Sequence, residues 1–94
     1  MKQHESVNKI LKEAGKLVTK DRGDDYGHPI VDFSRTAKMW SAILDTEVRP
    51  QDVGLCMVAL KIGREVNKHK LDNLVDMVGY TMTVQMVEDV INES

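Results

Sequence analysis

The sequence predicts an all-α protein, a four-helix bundle completed by association with further copies of itself. Apolar residues recur at i, i+3, i+4 and i+7, the spacing of one helix face, and not in the alternation of a strand. β-branched residues follow the same helical spacing. The interruptions carry helix punctuation, with Gly23 and Gly27 in one break and Pro29 and Pro50 each opening a new periodic segment. With 94 residues, 41% hydrophobic and 30% charged, the chain is expected to form a single domain over residues 1–94. A core of that size is modest, which favours hiding further apolar surface against other copies.

The first helix is expected over Gln3–Val18, where Val7, Ile10, Leu11, Ala14, Leu17 and Val18 form one apolar stripe between Lys and Glu positions. The segment from Lys20 to His28 breaks the period with its two glycines. The second helix begins at Pro29 and ends near Asp45, with Phe33, Ala37, Trp40, Ile43 and Leu44 on one face. Pro50 opens the third helix, which reaches about Asn67 and places the Asp52 carboxylate where it complements the helix dipole. Its apolar residues, from Val53 to Ile62, cover nearly the whole circumference. This helix is therefore expected to be central and buried, with Cys56 as core filler. A short turn at Lys68–Lys70 leads to the fourth helix, about Leu71 to Asn92, apolar on two sides and antiparallel to the third.

Composition excludes several functions. The formal net charge of −2 provides no pull towards DNA or anionic membranes. No apolar run approaches the roughly 20 residues that span a bilayer, and no secretory signal is visible. A lone cysteine excludes an intrachain disulfide and suits a reducing cytoplasm. There is no phosphate loop, Rossmann glycine pattern, paired-cysteine zinc signature or nucleophile–base pair.

Chemistry gathers at the turn between the last two helices. On a helical wheel, Asp72, Asn73, Asp76, Gly79, Tyr80 and Thr83 share one sector of the fourth helix, polar for three turns and apolar beyond. Lys61, Arg64 and Lys68 occupy one sector at the end of the third. In an antiparallel hairpin Lys61 and Arg64 then lie near Asp72 and Asp76. Two readings are open. One is a pair of interhelical salt bridges that fixes register. The other is a ligand site: Asp72 and Asp76 hold Mg²⁺, Lys61 and Arg64 neutralise phosphate oxygens, and Asn73 and Tyr80 donate hydrogen bonds, with Gly63 and Gly79 allowing close approach. The break before the second helix adds Arg22 for phosphate, Tyr26 for stacking on a base and His28 as a hydrogen-bond donor, against the alternative of a surface turn. Trp40 reads as a core anchor, and His4 and His69 as exposed.

The pattern Arg22-x-x-x-Tyr26-Gly27, Phe33, Trp40, Lys61-x-x-Arg64 and Asp72-x-x-x-Asp76-x-x-Gly79-Tyr80 resembles small phage and prophage helical proteins of unknown function, similar to nucleotide-modification-associated domains. It is more distantly similar to the MazG-like nucleotide pyrophosphohydrolases. That resemblance covers about residues 20–90 and implies a nucleotide-binding helical scaffold. It departs from the hydrolases where Lys61-x-x-Arg64 replaces an acidic pair, which removes metal ligands and adds phosphate contacts. Three functions follow as expectations: a phage-type nucleotide-binding protein that sequesters a nucleotide or cyclic nucleotide signal of host defence, within the host cytoplasm; a Mg²⁺-dependent nucleoside triphosphate pyrophosphohydrolase; or a helical adaptor whose polar stripe sets partner register.

Overall fold

A computed structural model of the chain describes residues 3–21 and 27–93, all-helical and without strands in that range. Helix α1 (Gln3–Lys16) runs into a π-helical turn (Leu17–Asp21). Helices α2 (Pro29–Leu44), α3 (Pro50–Asn67) and α4 (Leu71–Glu93) follow. The helix boundaries agree with the sequence expectation except at the end of α1. There Thr19 Oγ1 donates to the Gly15 carbonyl at 2.7 Å, a back-bond that competes with regular helix geometry. The widened turn still leaves Val18 buried beside Gly79 of α4.

Local chemistry explains the other ends. Pro29 supplies the first residue of α2, and His28 caps it, its Nδ1 accepting the Ile30 N–H at 3.1 Å. The helix stops at Asp45 in the left-handed region (φ 52°), which Asp tolerates better than most side chains. Ser41 Oγ accepts the Val48 N–H at 2.9 Å and ties the loop back to the helix. At the start of α3, Asp52 accepts from the Arg49 N–H at 2.9 Å and from its guanidinium at 2.8 Å. The fork and the backbone donor together hold the Asp52 carboxyl below its ordinary range.

The core is built from Phe33 and Ala37 of α2, Val53 of α3 and Val87 of α4, flanked by Ile30, Trp40, Val48 and Tyr80. Phe33, Val53 and Val87 each contribute about 1.5–3 kcal/mol through burial. Trp40 is thus a flank of the core, as its type suggests. The central element, however, is α4, which packs against α1, α2 and α3. Its buried stripe is Asn73, Val75, Gly79, Thr83 and Val87, with the Thr83 hydroxyl satisfied by the Tyr80 carbonyl at 2.7 Å.

The expected burial of α3 is corrected. Neighbours cover one side of it, and Leu55, Leu60, Ile62 and Val66 are exposed, as is Cys56, which is not core filler. Periodicity reports how much of a helix is apolar but not how many neighbours one chain can supply. Val7 and Leu11 of α1 and Ile43 and Leu44 of α2 are exposed for the same reason; among the described residues α1 buries only Ala14, and the turn after it Val18. The close helix approach is at Gly54. A Cβ on Gly54 would stand 2.5 Å from Val84 Cγ2 and 3.2 Å from Phe33 Cε2, whereas one on Gly63 would meet nothing within 4 Å. No helix of the described residues is long and apolar enough to cross a membrane.

Candidate functional site

The α3–α4 hairpin turns at Lys68–Lys70, and its register decides which charges meet. Lys61 and Asp76 stand at nearly equal chain distances from the turn and pair, Nζ to Oδ2 at 2.6 Å, with side chains only 14% and 19% exposed. Glu65 and Asn73 are similarly matched. Glu65 Oε1 accepts the Lys70 N–H at 3.0 Å and the Asn73 amide at 3.2 Å, while Oε2 meets His69 Nδ1. Asn73 Nδ2 also reaches the Lys68 carbonyl at 3.3 Å. Glu65 therefore ties the end of α3 to the turn and to the first turn of α4. The Lys70 backbone donor, and then His69, keep its carboxyl below the usual range.

With Lys61 committed to Asp76 and the turn locked by Glu65, the remaining cations face outward. Arg64, Lys68 and Lys70 border an open hollow of about 610 Å³, together with Asn73 and an apolar wall of Ala59, Leu60 and Gly63. Arg64 makes no ion pair among the described residues. Such a surface offers a guanidinium fork, two ammonium groups and an apolar side. That combination suits a ligand with an anionic end and a planar apolar end. The volume falls within the usual range of ligand pockets.

The sequence-predicted residues divide into groups. Arg64 and Asn73 border the hollow, whereas Lys61 and Asp76 are not part of its lining and pair with each other. Asp72, one turn before Asp76 on α4, is exposed and lines a separate hollow of about 350 Å³ with Lys9, Glu13 and Leu17. Asp76 does not line that hollow and is paired with Lys61. Among the described residues no group of three or more His, Cys, Asp or Glu gathers as a cation site. Tyr80 packs against the core and is absent from the lining of the Arg64 hollow. His28 is exposed and uses Nδ1 as a helix cap, accepting a hydrogen bond there. Arg22 and Tyr26 lie outside the described residues. Sequence reasoning missed Glu65, Lys68 and Lys70 as site residues. The signal was present: two lysines flank the turn, and an acid stands where it can cap the next helix.

Comparison with known proteins gives three results. Residues 9–88 match a family described as a domain of unknown function (DUF6378). The gene 55 protein of Mycobacterium phage D29 is 34% identical over 79 residues, covering 83% of this chain and 52% of that protein. The gene 55 protein of Mycobacterium phage L5 is 32% identical over 81 residues, covering 84% and 52%. The chain spans about half the length of these curated relatives. No solved structure matches it.

Proposed function

The chain belongs to the family of the domain of unknown function DUF6378, with phage proteins among its relatives, and from that premise we propose that it is a phage-type nucleotide-binding protein. It captures a nucleotide or cyclic nucleotide signal, such as one used in host defence, without turning it over. The reading includes a MazG-like helical scaffold and self-association that completes the bundle. The observation that supports it is the hollow in which Arg64, Lys68 and Lys70 stand around an apolar wall while the neighbouring Lys61 is occupied by Asp76. Three cations match the anionic part of a nucleotide, and Ala59, Leu60 and Gly63 offer a surface to its base. Binding without turnover follows from the carboxylates. Asp76 is held by Lys61, which leaves Asp72 as the one carboxylate of the two without that cation beside it, and no chemical step is routed through Mg²⁺.

The test is equilibrium binding with a panel of mono-, di-, tri- and cyclic nucleotides, with and without Mg²⁺, followed by product analysis. Retention of an unchanged nucleotide is expected. Arg64→Ala should weaken it about 10- to 100-fold, the loss of one charge-assisted contact. Metal-dependent release of pyrophosphate would replace this reading with the hydrolase. Absence of binding to every nucleotide would leave the helical adaptor.

A further inference from the structure

The exposed face of α3 has a pattern that specifies its own partner. Leu55, Ala59, Ile62 and Val66 are spaced 4, 3 and 4 residues apart, a sequence of intervals that reads the same in both directions. Three of these four are large apolar residues with 54%, 49% and 83% of their surface open to solvent. We propose that this stripe pairs with the same stripe of a second copy of the chain, antiparallel, about a two-fold axis between Ala59 and Ile62. Leu55 of one copy then lies level with Val66 of the other, and the small Ala59 receives Ile62. A two-fold interface requires this kind of self-complementarity, in which residue i meets j and j meets i.

Charge favours the antiparallel sense. Asp45 and Glu47 precede α3, where Asp52 is already paired with Arg49, while Arg64, Lys68 and Lys70 stand at its end beside the single acid Glu65. Antiparallel pairing sets each basic end beside the other copy's acidic end and opposes the two helix dipoles; parallel pairing would bring like charges together.

The pairing also bears on the hollow at the hairpin elbow. Ala59 belongs both to the stripe and to the hollow's apolar wall, so the pairing covers that part of the wall and narrows the hollow, leaving Leu60 and Gly63 for a ligand. The inference takes up the self-association in the proposed function but rests on the α3 face and not on the ligand.

The test uses the full chain without nucleotide. On a Cys56→Ser background, Ala59→Cys and Ile62→Cys chains are mixed in equal amounts and mildly oxidised. Mixed disulfide dimers are expected to dominate. Dominance of either like-with-like dimer, or no cross-linking, would overturn the register. In parallel, sedimentation of the unaltered chain should show a dimer or a multiple of it. Ile62→Glu, at a position exposed in the single chain, should keep its helical circular dichroism and raise the dissociation constant at least about 100-fold, because it buries an unpaired charge. A monomeric unaltered chain, or an Ile62→Glu chain that associates as before, would refute the pairing. Failure to capture nucleotide would leave these readings unchanged and would count against the proposed function alone.

Discussion

Lys61 and Asp76 are the ionic pair whose removal should cost most. Both side chains are largely withdrawn from water, so deleting one partner strands the other. Asp76→Ala and Lys61→Ala should each destabilise the fold by about 3 kcal/mol, read as a shift in the urea midpoint. The double replacement should cost less than the sum, because neither charge is then stranded. Glu65 gives a different signature. Its folded pKa lies below the ordinary 4.5, so its stabilising effect is complete above that value and is lost as pH falls through the lower, folded value. Thermal melts of the unaltered chain should therefore weaken on acidification below about pH 4.5, and Glu65→Gln should show a smaller acid dependence. An identical acid dependence in Glu65→Gln would show that the turn is held by other groups. The helical wheel made the encounter of these two helices legible in the sequence. It gave the angle around each axis but not the height along it, so it could not show that Lys61 takes Asp76 while Arg64 remains apart from Asp72. Counting residues outward from the turn supplies that height, and the same count finds Glu65 opposite Asn73.

Helix α4, not α3, organises the packing, and one glycine of α3 permits it. Gly54 brings α3 against Val84 and Phe33, whereas Gly63 lies in open space on the same helix. Gly54→Ala should destabilise by about 1–3 kcal/mol through overpacking against a β-branched side chain that cannot swing away. Gly63→Ala should be neutral or stabilise by up to about 1 kcal/mol, since Ala is the better helix former. Equal effects at the two positions would contradict the helix contact described for Gly54. The sequence announced four helices through periodicity and through Pro29 and Pro50, and these boundaries hold because Pro and the caps act locally. It did not announce which helix is central. Both α3 and α4 are apolar around most of their circumference, and only tertiary packing shows that α4 has three neighbours while α3 keeps Leu55, Ile62 and Val66 in solvent.

The molecule as a whole presents an apolar α3 face and, at its elbow, a cationic hollow beside a slightly acidic body. Phosphate recognition by exposed cations is screened by salt. Nucleotide affinity should therefore fall as ionic strength rises from about 0.05 M to 0.5 M, and most strongly for triphosphates. The cationic end of the hairpin was legible in the sequence. The apolar wall was not, because Ala59 and Leu60 read as core until the fold left them exposed. The most direct measurement is isothermal titration of the unaltered chain and of Arg64→Ala with the nucleotide panel, with the titrated mixture then checked for intact ligand. Saturable capture of an unchanged nucleotide, weakened about 10- to 100-fold by Arg64→Ala, is the predicted result. Equal affinity in both chains, or no capture of any nucleotide, would contradict it.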